Sequence, residues 1–553
     1  MHRSLPILEI VTMISHEIGH KTLSSFARAC RMFRDPALDV LWRHQNTLMN
    51  LLRCMPEGIW DESDEEGDWT LHRPVLPADW ERPLFYACRV KSFHYDDRFR
   101  SPRFPTSPDF LESLRLCFSG PHIFSNIEKL SWYSYHEPTF PHVRLFLGPR
   151  LENLGLSVLQ SIAHLSLLPV IAVECPLLTD VGVECSYELD GQRSVSTLVL
   201  GLHRLELLFL PCLDNAAVEH IARLPSLTSL TLENQSALVP FPEYFSSNDI
   251  LFPRLSSLNI TGNDVNAVVP LLTLLTHTPI VELTIDIPDL TPAKDIAECY
   301  SAMARHCSQT HTSLGKLTIG RGWGSDTPPT SADIATYLIH SPQFLPLLTF
   351  TNLTVVFLTP AVGFDLDDMA VADLAQAWPH LRERYLFPSV YLNLPSRITL
   401  TGLLPFAQHC PHLSHLKLPL DASAAPKWPQ GHKAGTTRVR QSRLRGLDVL
   451  RSSIENPVLV AGFLSSVFPR LRRVFTDQDP RLQYEPEALA EHAEAIALHT
   501  QWKTVQAAPR DSHIKLLFHS CSFVHMSRCL SFPSRSFYFY PLSILRVLGF
   551  STI

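Results

Sequence analysis

The hydrophobic positions of this chain recur in one spacing: an aliphatic residue, two variable positions, a second aliphatic, one variable position and a third aliphatic. Such triplets begin at Leu111, Leu151, Leu178, Leu205, Leu227, Leu255, Ile280, Leu314, Leu353, Leu413 and Leu444, most of them 22 to 34 residues apart. With about a quarter of positions aliphatic, roughly seven such triplets arise by chance in about 400 positions. Punctuation lifts them above chance. Pro149, Pro176, Pro225, Pro253 and Pro411 each stand two residues before the first aliphatic, a coincidence that ordinary Pro usage supplies less than about once. Ile127 with Leu130 and Trp132, Pro379 to Leu386 with Arg384 in the middle aliphatic place, and Pro469 to Val474 are degenerate copies.

Two apolar residues one position apart alternate inward on a short strand, and the stretch ahead of each Pro returns the chain as a helix. Residues 216–223 and 402–409 fit that return helix. A single strand and helix cannot bury its own apolar face, so neighbours must stack. The pattern predicts an α/β solenoid that resembles a leucine-rich-repeat horseshoe over residues 106–508, with an irregular loop in the Gly-, Thr- and Pro-rich stretch 320–329. The residue between the two close aliphatics points out of the strand face. This places Phe209, Thr231, Asn259, Thr284, Phe357 and Lys417 on a concave surface as candidate substrate-binding positions.

Composition narrows the classes. The chain has 553 residues, 45% of them hydrophobic, which is ample for burial, and 47 basic against 54 acidic side chains give a net charge of −7. Only 18% of residues are charged, so no general attraction to nucleic acid is expected. Twelve cysteines occur without a C-x-x-C pair, which argues for reduced thiols rather than a disulfide framework or a zinc finger. Pro6 and Glu9 interrupt the apolar core that a signal peptide needs. The stretch 536–553 carries Pro541 and Arg546 and is short for a membrane span. The expectation is a cytoplasmic or nuclear protein with no membrane partner.

Ahead of the array, Leu8, Val11 and Ile14, then Leu23, Phe26, Ala29 and Cys30, predict two short amphipathic helices with Gly19 at the turn. Asp35 followed by Pro36 predicts the start of a third, with Leu38, Leu41 and Trp42 facing inward. Residues 1–45 thus form a helical module too small to stand alone. Residues 46–105 read as a linker holding the acidic run 61–68, six carboxylates in eight residues, as a solvated loop. Residues 509–553 continue no repeat.

These residues resemble a known family. Leu5 and Pro6, Leu23 with Phe26, Ala29 to Arg31, Asp35 to Leu38 and Leu41 with Trp42 are similar to a fungal-type F-box. Leu76, Pro77, Asp79 to Arg82, Tyr86, Ala87, Arg89 and Val90 resemble the link that follows it in fungal F-box proteins with leucine-rich repeats. Residues 373–379 and 398–411 resemble that group's later repeats, so the likeness spans residues 4–508. It implies a substrate-recognition subunit of an SCF-type ubiquitin ligase, itself non-catalytic, whose F-box docks on a Skp-type adaptor and through it a cullin. Leu5, Pro6, Ile10, Leu23, Phe26, Cys30 and Trp42 would carry that docking or its supporting core, and the repeats would hold a substrate protein. Glu17 stands where the family has an aliphatic residue, which implies weakened adaptor affinity. A repeat scaffold without ligase engagement is the alternative that Glu17 raises.

One enzymatic motif stands in the same segment. His16, Glu17, Ile18, Gly19 and His20 match H-E-x-x-H, in which two histidines one turn apart on a helix hold zinc and Glu is general base. Leu23 and Phe26 occupy the places of the extension that would supply a third ligand, and Gly19 interrupts the helix. No G-x-S-x-G, phosphate-cradling or dinucleotide loop occurs. The reading is therefore no metal site, no cofactor and no catalytic residues.

Overall fold

The computed structural model describes residues 8–518 apart from 63–68, 98–107, 119, 135–136, 159–160, 186–188, 236–249, 263–264, 266–267, 289, 308–309, 322–333, 387–393, 425–438, 477–492 and 506–516. Residues 322–329 of the expected loop, the tip of the acidic run and nearly all of 509–553 therefore lie outside the described residues, while Gly320 and Arg321 belong to a strand rather than to that loop. The chain divides into two compact units, with the boundary after Glu233. No helix among the described residues is long and apolar enough to cross a membrane.

The first unit opens with three helices, α1 (Leu8–Glu17), α2 (His20–Ala29) and α3 (Arg31–Trp42). Gly19 separates the first two in an extended conformation, as its position predicted. The third starts earlier than Asp35 and Pro36 suggest: extended Cys30 is its N-cap and Pro36 lies inside it. The reason is Phe33, buried and stacked on Phe26 at 4.4 Å. That contact holds the turn ahead of Pro36 in helical form, although Pro36 itself cannot donate a backbone hydrogen bond.

Then follow β1 (His44–Gln45), an antiparallel hairpin of β2 (Trp60–Glu62) and β3 (Trp69–Leu71) at the acidic run, and the strands β4 (Ser92–Asp96), β5 (Lys129–Tyr133), β6 (Asn153–Ser157), β7 (Asp180–Glu184), β8 (Leu207–Leu210) and β9 (Ser229–Gln235). β1 and β4 to β9 pair in parallel in that order. The parallel ladder thus begins with β1, at the end of the segment read as the helical module, and β4, inside the segment read as a linker. The triplet at Leu111 is no repeat strand, because it falls in the helix Pro108–Cys117.

The second unit carries β10 (Ser257–Gly262), β11 (Glu282–Ile287), β12 (Lys316–Arg321), β13 (Ile339–His340), β14 (Val355–Thr359), β15 (Phe364–Asp365), β16 (Glu383–Leu386), β17 (His415–Lys417), β18 (Asp421–Ala422), β19 (Gly446–Asp448), β20 (Ser453–Ile454), β21 (Arg473–Phe475) and β22 (Leu517–Phe518). β10, β11, β12, β14, β16, β17, β19, β21 and β22 pair in parallel in that order. β13 with β15, and β18 with β20, make separate parallel pairs. The long step from Leu314 to Leu353 breaks nothing, since β12 pairs directly with β14.

Each unit is an α/β solenoid-like stack. The second and third aliphatics of each strand-forming triplet, such as Leu154 and Leu156 or Leu283 and Ile285, are buried under the sheet, and the first, such as Leu151 or Ile280, is buried too. Each such leucine contributes about 1.5–3 kcal/mol. Return helices are started by side-chain caps: Asp214 accepts from Ala217 N at 2.9 Å, Asp367 from Ala370 N at 2.9 Å and Asn456 from Leu459 N at 3.1 Å, which ties off backbone donors the helix leaves open.

Candidate protein-docking surfaces

The N-terminal module separates its family-assigned residues into two classes. Leu23 and Trp42 are buried, Trp42 stacking on Tyr86 at 4.6 Å, so they support the module and cannot reach a partner. Ile10, Phe26 and Cys30 are half-buried, and Leu5 and Pro6 lie outside the described residues. The apolar groups that do face outward include Leu8, 59% exposed, Met13, 69% exposed, and Met32. Met13 and Met32 escaped the sequence reading because they fall off the stripe that marks the buried face. Glu17 is exposed at the end of α1 and costs the core nothing.

The module is fastened to the first strands. Arg89 pairs with Asp35 at 2.9 Å and with Asp39, its guanidinium lies 4.9 Å from the Phe85 ring centre, and Lys91 N and Ser92 N both donate to Arg43 O at 2.9 Å. Such a small helical set, marginal by itself, leans on the stack behind it.

The zinc motif does not form its helical geometry. His16 lies in the last turn of α1 and His20 opens α2, so the two imidazoles do not share one helix face. Among the described residues no group of three or more His, Cys, Asp or Glu side chains could hold a metal.

In the first unit the outward row of the sheet runs His94, Ser131, Gly155, Gly182, Phe209, Thr231. The register matches the triplet pattern, yet Phe209 is only 7% exposed and offers no standing anchor. Its ladder neighbour on that row is Gly182, whose Cβ position would lie 3.8 Å from Phe209 Cβ. Thr231 is half-buried.

In the second unit the row is continuous: Asn259, Thr284, Thr318, Phe357, Tyr385, Lys417, Asp448, Phe475. Asn259, Thr284, Phe357 and Lys417 all fall on it. Phe357 stacks on Tyr385 at 4.0 Å between ring centres, and both are half-buried, so the pair presents one broad aromatic surface. Lys417 pairs with Asp448 at 3.2 Å. The Oδ1 of Asn259 is buried without a donor among the described residues. Tyr385 and Phe475 were missed because their triplets are degenerate, with Arg384 and a truncated copy in place of the full spacing.

At the strand-entry end of the first unit, burial first and Glu206 second push the Asp180 carboxyl up to about 6, with Lys129 opposing. A carboxyl that holds its proton more tightly folded than unfolded makes stability fall as pH rises between its unfolded value, about 4, and about 6. Above that window the loss is constant. Asp180→Asn should therefore melt at a higher temperature than the parent at pH 7.5 and at the same temperature at pH 3.5, read by thermal denaturation at both.

No protein-family model matches the chain, and no curated protein matches it. Among solved structures it is similar to one in the crystal structure of the Rad7 and Elc1 complex in yeast, at 13% identity and a TM-score of 0.30, over 68% of this chain and 83% of that one. A likeness of that size carries no functional inference.

Proposed function

We propose that the chain is the substrate-recognition subunit of an SCF-type ubiquitin ligase, docking a Skp-type adaptor through α1 to α3 and holding a substrate protein on its repeat strands. What carries the reading is the exposure of Leu8, Met13 and Met32 on a helical module that Arg89 clamps to a stack of strands. Apolar groups gathered on so small a module favour a protein partner. The chain contributes no chemistry of its own in this reading. Its work is to hold two proteins on one frame, a cullin-bound adaptor at the helices and the substrate at the outward row.

The test is co-purification with the adaptor. Leu8→Asp with Met13→Asp should abolish adaptor retention at an unchanged melting temperature, as should deletion of residues 1–45 in any form that still folds. Phe357→Ala with Tyr385→Ala should leave the adaptor bound and weaken substrate capture by roughly 1–3 kcal/mol. Adaptor retention unaffected by the two aspartates would sink the docking assignment. Glu17 supports a second reading, a repeat scaffold without a ligase: it prevails when the chain binds no adaptor at micromolar concentration while the row still captures a protein.

A further inference from the structure

The position that enters each repeat strand is stacked from one repeat to the next by backbone hydrogen bonds. In the second unit Arg382 N donates to Thr354 O, Ser414 N to Arg382 O, Arg445 N to Ser414 O and Arg472 N to Arg445 O, at 2.7 to 3.0 Å. The next position along the strands runs Glu383, His415, Gly446, Arg473. Arg382, Arg445, Arg472 and Arg473 are all exposed, and none of them has an ion-pair partner among the described residues. In a chain of net charge −7, residues 440–473 hold seven arginines against two carboxylates.

The fold does not ask for arginine there. The same position in the earlier strands of this unit is Ser256, Val281, Gly315 and Thr354, and in the first unit it includes Glu128, Glu152 and Glu206. Neutral and acidic side chains thus serve the ladder equally well. Like charges on neighbouring strands destabilise a sheet, so the arginines are held against a cost that a bound anion would remove. Strand spacing of about 4.8 Å puts Arg445 and Arg472 on adjacent strands and Arg382 about 10 Å from Arg445.

Gly446 lies at the centre. A Cβ there would meet His415 Cδ2 at 2.8 Å and Phe475 Cε2 at 3.4 Å, so the imidazole and the phenyl ring both pack beside the glycine. His415 Nδ1 lies 3.0 Å from Ser414 Oγ, whose hydroxyl donates to Arg382 O at 3.0 Å, which fixes the ring in place.

We propose that this edge binds an extended, carboxylate-rich protein segment, with Arg382, Arg445, Arg472 and Arg473 as its clamps. The inference rests on the repeats being the protein-capturing element. Guanidinium forks pair with carboxylates bidentately, and an extended peptide presents every second side chain on one face about 7 Å apart, so a few acidic residues span the clamps. Glu383 and the Lys417–Asp448 pair interrupt the patch, whereas a nucleic-acid backbone needs an unbroken positive track.

Fluorescence anisotropy on the full chain tests it, with a fluorescein-labelled peptide of about twelve alternating Glu and Gly residues as probe. The parent should bind, Arg445→Glu with Arg472→Glu should weaken binding by at least about tenfold, and Arg445→Gln with Arg472→Gln by less. Glu206→Lys, at the same repeat position in the first unit, should leave it unchanged. Melting temperatures separate loss of binding from loss of fold, and the glutamine pair keeps the test alive when charge reversal unfolds the protein. No binding by the parent, or equal binding by the variants, overturns the proposal, and so does tighter binding of single-stranded RNA of equal charge at equal salt. The probe involves no adaptor, so peptide binding that persists while the adaptor fails to bind sinks the ligase reading and leaves this one standing.

Discussion

Arg384→Met should raise the unfolding free energy of the second unit by about 2–4 kcal/mol, an unusually large gain for one substitution. Arg384 occupies the middle aliphatic place of its triplet, with Val356 and Leu416 as its ladder neighbours. Its side chain is fully buried, and Nε, Nη1 and Nη2 have no hydrogen-bond partner among the described residues. The guanidinium lies 4.6 Å from the Phe406 ring centre and 5.6 Å from that of Trp378. Two ring faces recover about 2 kcal/mol, short of the several kcal/mol that removing an ion from water costs.

Burial accordingly pushes the Arg384 pKa down to about 9, which still leaves it charged at neutral pH. A base held below its unfolded value weakens the fold wherever it stays protonated. The gain from methionine should therefore be the same at pH 5 and pH 8 and shrink only above about 9. Methionine is shorter than arginine but unbranched, and its flexible thioether adapts to part of the vacated space. The midpoint of urea unfolding checks the expectation. A lower midpoint for Arg384→Met would show that the guanidinium has a partner beyond the two rings.

Trp132→Ala should cost the first unit about 3–5 kcal/mol, enough to unfold a marginal structure. Trp132 takes the third aliphatic place of the degenerate copy at Ile127. It is fully buried, stacked on Tyr95 at 4.1 Å and on Phe146 at 5.2 Å. Its indole Nε1 has no acceptor among the described residues, so the nitrogen adds nothing to the packing. Trp132→Phe, which keeps a ring and removes the orphaned donor, should then stay within about 1 kcal/mol of the parent. Calorimetry of the three proteins separates the outcomes; an equal loss in both variants would mean that the indole nitrogen is hydrogen-bonded.

The repeat strands were legible because their signal is local. Two inward side chains with one position between them repeat within a few residues, and a period-two pattern allows only one register on a buried face. For the same reason the outward positions Asn259, Thr284, Phe357 and Lys417 could be assigned before any neighbour was known. The helices of the N-terminal module were legible from their stripes, and their break from Gly19. Where the signal was a single short cue, as with Asp35 and Pro36, a packing contact between Phe26 and Phe33 on neighbouring helices outweighed it.

What the sequence alone determined was which side of each strand a residue faces, since alternation is a property of the extended backbone itself. Whether an outward residue is available to a partner was decided by tertiary structure, because exposure depends on the adjacent strand. Phe209 sits beside Gly182 and is covered, whereas Phe357 sits beside Tyr385 and is held in a stack. The arginine edge was likewise invisible along the chain: Arg382, Arg445 and Arg472 are 63 and 27 residues apart in sequence, and only parallel pairing brings them onto one edge. Pairing between strands converts sequence separation into a spacing of about 4.8 Å, and no local pattern encodes which strands those will be.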